Sequence, residues 1–300
     1  MNGDWDRVRI ERKPAEGEMR DVMEGAGRWE VKVHDHGLVA LVDVMPRLAP
    51  AGKTADYAIV QAARVSYGLG TKQVSEDRGL IRYLARHRHT TPFEMVEFKF
   101  HHVMPIFVAR QWIRHRTANV NEYSARYSVV KDRFYHPSPD EVRRQSATNR
   151  QGGSEAMDAA TAQEFCAYLD RVEQHYKEYE RLVEKGVARE LARIGLPLSV
   201  YTEWYWKIDL HNLLHFLSLR LDEHAQKEIR DYAVAMFALI RPIVPIAAEA
   251  FVDYSLGGMR LSRLEIEALR TGHPLASSNS RENAEWQEKK RRLGLDADGR

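Results

Sequence analysis

The chain has 300 residues, a formal net charge of +2 and 44% hydrophobic residues, enough for one large domain or two ordinary ones around a sizeable core. Near-neutral charge supplies no global field toward nucleic acid or a membrane surface, and no apolar run approaches the roughly 18 residues of a membrane span. The N-terminal residues hold no apolar signal core and Cys166 is the single cysteine, so a cytoplasmic protein without an intrachain disulfide is expected.

Residues 1–30 are charged and without clear period, and read as a polar extension. "LVALVDVM" (38–45) predicts a strand. "TADYAIVQAARVS" and "SEDRGLIRYLARH" predict helices with Thr54 and Ser75 as N-caps. In "EMVEFKFHHV" Val96, Phe98 and Phe100 alternate with Glu97, Lys99 and His101, a half-buried strand. Pro105 then opens "PIFVARQWI", a helix with proline in its first turn. After a polar connection at 136–155, one long helix is expected through "AQEFCAYLDRVEQHYKEYERLVEKG", closed by Gly186. "VARELARIG" is a short helix and "SVYTEWYWKI" a strand, with Trp204 and Trp206 in the core or an interface. Asp209 and Asp222 are the expected caps of the last two helices, "DLHNLLHFLSLRL" and "DEHAQKEIRDYAVAMFALI". Residues 257–300 read as a polar, flexible tail. Helices outnumber the few scattered strands, so the class is α+β: a helix-rich single domain over 31–256 with a small sheet.

The helix opened by Pro105 delivers "RQWIRHRTANVNEYSARYS" (110–128) at its C-terminal end. Arginine forks capture phosphate or carboxylate in pairs of hydrogen bonds. Arg114, Arg116 and Arg126, with Glu122 and Ser124 among them, suit a nucleotide; a salt-bridged surface loop is the alternative. A second Arg-His-Arg, at Arg86-His87-Arg88, ends an amphipathic helix, where cations complement the helix dipole.

Arg114-His115-Arg116, seven residues, then Ser124 resembles the signature of flavin-dependent thymidylate synthases. "HTTPFE", "PIFVARQWIRHR", "NEYSARYS", "RELARIGLPL" and "LRLDEHAQKEI" are similar to family segments in family order. The resemblance implies that fold, and synthesis of dTMP from dUMP. The methylene would come from 5,10-methylenetetrahydrofolate and the hydride from FADH2 regenerated by NADPH, in a homotetramer with active sites shared between subunits. By the same resemblance Gln111, Trp112, Ile113 and Arg114, with Glu122, Tyr123, Ser124, Ala125 and Arg126, bind dUMP. Arg193 contacts the phosphate and Arg220 the uracil ring. His89, Thr91, Glu94, Arg114, His115, Arg116 and Glu122 approach FAD, and Asp209, Leu210, His211 and His215 hold it from another subunit. Two departures stand out. Ala125 replaces a common glycine, and Asp209-Leu210-His211 stands where relatives often carry Asn-x-Arg.

Uracil C5 is a weak nucleophile. Cys166 lies beside Phe165 in an amphipathic helix and reads as a buried, inert thiol rather than an attacking group. Ser124 has no evident His-Asp relay. Activation then falls to electrostatics, and by the resemblance Arg220 favours the ionised imide. His211 and His215 are four apart on a helix, but no glutamate follows His211 and no third ligand is indicated, so no metal is expected. His224 is expected to orient the Arg220 region. Two rival classes remain at this stage: a nucleic-acid-binding module, and a nucleotide-binding regulator that has lost turnover.

Overall fold

The computed structural model describes residues 15, 17–65, 77–146 and 152–295. Its centre is a five-stranded antiparallel sheet in the order β2-β3-β5-β9-β6. The strands are β2 (Trp29–Val33), β3 (Gly37–Met45), β5 (Glu97–Pro105), β6 (Asn119–Glu122) and β9 (Tyr201–Asp209). Two small antiparallel pairs stand apart, β1 (Met19–Asp21) with β4 (Leu48–Pro50) and β7 (Arg143–Gln145) with β8 (Gly153–Ala156). The class is α+β, as the scattered strands implied.

Alternation along β5 and β9 decides which face is covered. Register sets Val39, His102, Trp204 and Glu122 in one row across the sheet. Phe98, Phe100, His102, Trp204, Trp206 and Ile208 are all buried on that face. The opposite face carries Lys99, Tyr205 and Lys207, all exposed. β6 is the edge strand, and all four of its residues are exposed.

Three helices cover the apolar face: α4 (Ile106–Trp112), α8 (Leu210–Arg220) and α9 (Lys227–Ile240). Trp112, Phe216 and Tyr232 meet there, with the Trp112 and Phe216 rings stacked at 4.8 Å. Each such side chain contributes roughly 1.5–3 kcal/mol by leaving water. Pro105 does not sit inside α4. It ends β5 in extended backbone and serves as the N-cap, because its register partner Tyr201 keeps it in the sheet.

α1 (Asp56–Val65) and α2 (Asp77–Arg86) form where helices were expected, and a short α3 (Thr91–Glu94) follows that no sequence pattern announced. α1 starts after Thr54, whose hydroxyl donates to the Asp56 carboxylate at 3.3 Å. Asp56 is itself buried and accepts from the backbone of Ile246 and Ala247 at the start of α10 (Pro245–Phe251). Burial pushes its carboxyl up to about 6. Ser75 lies outside the described residues.

The expected long helix is two, α5 (Ala159–Glu173) and α6 (His175–Glu184), divided at Gln174. Asp158 caps α5 by accepting from Thr161, and Gly186 closes α6 with φ +90°. The second helix sets large side chains in a core, Tyr176 and Tyr179 packing with Val130, Phe134 and Val200, whereas the first buries Ala162 and leaves Phe165 40% exposed. α7 (Arg189–Ala192) is short and runs into a 3-10 turn at Arg193–Gly195. Asp209 caps α8 as expected, accepting from Asn212 at 2.9 Å. Asp222 does not cap α9. Its carboxylate takes the backbone and ring of His224 in a local turn, and α9 begins later, after Gln226.

By contact the chain divides into two units, the first ending at Glu249 and the second running from Ala250. Residues 257–300, expected as a flexible tail, fall in the second unit, which holds α11 (Arg263–Thr271) and α12 (Ser280–Arg292). Ser262 and Glu265 form a reciprocal cap on α11, and Lys289 pairs with the buried Glu265 at 2.8 Å. Trp286 is the buried aromatic of α12. No helix of the described residues is long and apolar enough to cross a membrane.

Candidate active site

The site grows from the end of α4. Trp112 is fully buried against Phe216 of α8, edge-on to Trp206 and 4.5 Å from the His102 ring. This large anchor fixes the helix terminus. Gln111, Ile113 and Arg114 follow from it, and both Ile113 and Arg114 are exposed. The Trp112 side chain itself is core. The Gln111 amide donates to Gln226, a partner from the turn before α9 that no local pattern announces.

His115 lies half-buried over Phe216, with ring centroids 4.8 Å apart. Its Nε2 accepts from the Arg220 guanidinium, 3.2 Å from Nε and 3.0 Å from Nη2. Burial first, then the Arg220 and His215 charges, pushes the His115 ring down to about 4. It is therefore neutral at pH 7, with its proton on Nδ1 by assignment, because Nε2 is an acceptor. Burial also lowers Arg220. One edge of the guanidinium is thus held by a neutral imidazole, and Nη1 has no hydrogen-bond partner among the described residues. His224, expected in this orienting role, turns to Asp222 instead and is exposed.

This pair has a pH signature. The unfolded His115 binds its proton near 6.5 and the folded one near 4. Between those values the unfolded chain holds more protons, so stability falls as pH drops from 6.5 to 4 and levels below 4. Relative to His115→Gln, which does not titrate, the wild type is expected to lose stability through that window. Denaturant unfolding at several pH values checks it; a difference that stays constant contradicts it.

A second group forms along β6 and the loop after it. Glu122 accepts from the Thr202 hydroxyl at 2.7 Å. Tyr123 bonds through its backbone to Glu203 and through its hydroxyl to Val129. The Ser124 carbonyl accepts from Tyr127 and Ser128, and its hydroxyl faces the Arg126 amide at 3.4 Å. From α7, Arg189 donates to the Tyr127 carbonyl at 2.7 Å and Glu190 pairs with Arg126 at 3.4 Å. Arg193 follows directly, half-buried. Ala125 is not among the residues with positive φ, and its side chain packs on the Tyr176–Tyr179 cluster. The backbone there does not require glycine, so the methyl group adds packing without strain.

The residues expected near the flavin occupy two other places. His89 follows α2, exposed, its ring 6.0 Å from Tyr83. Thr91 and Glu94 bound α3, which packs against α8. At the start of α8 the Asp209 carboxylate is spent on the cap, and Leu210 is fully buried with its N–H bonded to Val96. His211 is half-buried and His215 exposed, the latter 6.5 Å from the His115 ring. At 1.5 Å per residue, His211 stands about 14 Å along the helix from Arg220. One chain therefore brings His115, His215 and Arg220 together but leaves Asp209, Leu210 and His211 at the far end of α8.

The donor chemistry fits a flavin nucleotide. Among the described residues Arg114, Arg116 and Arg193 have no carboxylate partner, and unpaired guanidinium forks suit phosphate groups. Thr91, His89 and His215 add exposed donors. Among the described residues no group of three or more His, Cys, Asp or Glu is arranged to hold a metal ion. Cys166 is half-buried rather than buried, its Sγ 3.6 Å from the Pro137 carbonyl. Thr202, Gln226, Arg189 and Glu190 are the residues sequence reasoning missed; each acts through a contact distant in sequence.

Comparison with known proteins gives the family. Residues 47–246 match the family model described as thymidylate synthase complementing protein. The chain is 70% identical over 288 residues to a flavin-dependent thymidylate synthase of Dictyostelium discoideum, covering 96% of this chain and 95% of that one. It is 54% identical over 265 residues to one from Gluconobacter oxydans, covering 86% and 85%. Among solved structures it is similar to a UMP/dUMP methylase, PolB from Streptomyces cacaoi, bound with 5-Br UMP. That match has a TM-score of 0.65 and 35% identity, and covers 75% of this chain and 97% of that one.

Proposed function

Because this chain belongs to the flavin-dependent thymidylate synthase family, we propose that it converts dUMP to dTMP with a methylene from 5,10-methylenetetrahydrofolate and a hydride delivered through FAD from NADPH. The observation that carries the reading is the Arg220–His115 pair. Arg220 meets the uracil carbonyl and N3 with its free edge and favours the ionised imide, which is electron-rich at C5. The neutral imidazole fixes the direction of that fork without cancelling its charge. Arg126 and Arg193 take the nucleotide phosphate, Ser124 donates beside them, and Gln111 and Arg114 hold the base side. Arg114 and Arg116 hold the flavin phosphates, with His89, Thr91 and Glu94 near them. When bound, the flavin supplies the hydride.

No cysteine attacks the ring. Cys166, on α5, is half-buried with its Sγ turned to the Pro137 carbonyl. Cys166→Ser is expected to keep most dTMP synthesis, with any packing loss near 1 kcal/mol. Complete loss of turnover with an unchanged thermal melt would restore a covalent role for the thiol.

The flavin-holding residues at the start of α8 lie far along the helix from Arg220 of the same chain, which supports a homotetramer with shared sites. The exposed Leu191, Ile194 and Leu198 around Arg193, 59%, 75% and 62% accessible, support it further. Light scattering of the purified protein, together with the absorbance of flavin released on denaturation, tests the assembly and the cofactor. A tetramer carrying flavin is expected; a monomer of 34.7 kDa would contradict the shared site.

A further inference from the structure

We infer that Thr202 is a positioning residue for the nucleotide: it holds Glu122 so that one carboxylate oxygen is presented to a sugar hydroxyl of the substrate. The inference rests on the dUMP reading above. Thr202 lies on β9, on the same face as Trp204, Trp206 and Ile208, and is itself buried, with 7% of its surface accessible. Its neighbours on that face of β9 are the large side chains Trp204, Trp206 and Ile208. A valine would suit the strand and the packing as well as a threonine does. A buried hydroxyl is costly unless it is hydrogen-bonded, and this one has its partner in Glu122, at 2.7 Å.

Register explains the reach. Glu122 on the edge strand stands directly opposite Trp204, so Thr202 is its diagonal neighbour on the same face. The Thr202 hydroxyl has one proton, and it goes to Oε1 of Glu122. Among the described residues the other carboxylate oxygen has no hydrogen-bond or ion-pair partner. An exposed glutamate without a cation ordinarily samples many rotamers. This one is tied at one oxygen to the buried sheet, and the free oxygen is an acceptor only. An acceptor fixed beside the Ser124–Arg126 loop fits the hydroxyl of a nucleotide sugar whose phosphate is taken by the arginines. Thr202 touches neither substrate nor cofactor in this scheme; it acts through Glu122.

The test compares Thr202→Val, which keeps the shape, with Thr202→Ser, which keeps the hydroxyl. Binding of dUMP and of its 3′-deoxy analogue to the flavin-loaded protein is measured by calorimetry, with a thermal melt for each variant. The wild type is expected to prefer dUMP. Thr202→Val should weaken dUMP binding about five- to tenfold, as loss of one hydrogen bond does, while leaving the analogue nearly unaffected; Thr202→Ser should recover the preference. In a Glu122→Ala background, where the edge residue is exposed and its loss spares the core, Thr202→Val should add no further loss of dUMP affinity. Unchanged preference in Thr202→Val, equal loss for both ligands, failure of serine to rescue in a folded protein, or a full added loss in the Glu122→Ala background would each overturn the role. A flavin-loaded wild type that binds neither ligand would instead overturn the dUMP reading on which this one rests.

Discussion

Arg220→Ala is expected to lower dTMP formation about a hundred- to a thousand-fold, the usual cost of removing a preorganised donor from a site of developing charge. Its guanidinium is half-buried at the end of α8 and tied on one edge to His115. The neighbouring carboxylates do not claim it: Asp222 turns to His224, and among the described residues Arg220 bonds to His115 and forms no ion pair with Glu223. A charge that merely completed a helix end would contribute a fraction of a kcal/mol. Arg220→Lys restores the charge but not the planar fork, and cannot both reach His115 and face the uracil, so partial rescue is expected. NADPH oxidation by the loaded variants needs no uracil anion and should stay near the wild-type rate. Near-normal dTMP formation by Arg220→Ala would reduce Arg220 to a helix-end cation.

Trp112→Ala should destabilise the fold by about 3–5 kcal/mol, the range for deleting a large buried aromatic. The indole joins α4 to Phe216 on α8 and Trp206 on β9, so its loss loosens three elements at once. Trp112→Phe should cost less, because it fills part of the space and removes an indole N–H that has no partner among the described residues. Gln111, Ile113 and Arg114 follow from this anchor, so nucleotide affinity should fall with stability in the alanine variant. Denaturant unfolding and dUMP titration together check it. A change below 1 kcal/mol would show that α4 is held by other contacts.

What the sequence made legible is what depends on short-range pattern. Alternation marked Phe98 and Phe100 as buried, the Asp209 cap placed the start of α8, and Gly186 marked the end of α6. Asp222 looked like Asp209 but lost the competition to a local turn with His224, and α9 starts after a glutamine that has no capping preference. The composition of residues 257–295 concealed two helices because it is strongly polar and few of their side chains, Ala268 and Trp286 among them, are buried. Within the site, the residue types of 111–126 were readable, but their partners were not. His115 meets Arg220 from 105 positions away and Glu122 meets Thr202 from 80. Only the fold brings such pairs together. The same holds for burial: the resemblance sets Trp112 and Leu210 among the ligand contacts, and only the fold shows that both side chains are fully buried.

The most direct test of the account is to supply the flavin-loaded protein with dUMP, NADPH and methylenetetrahydrofolate isotopically labelled at its methylene carbon, and to identify the nucleotide product by mass. The account predicts labelled dTMP, dependent on all three substrates and insensitive to Cys166→Ser. Recovery of unchanged dUMP from a protein shown to bind both flavin and dUMP would contradict it, and would leave the site as one that recognises the nucleotide without turning it over.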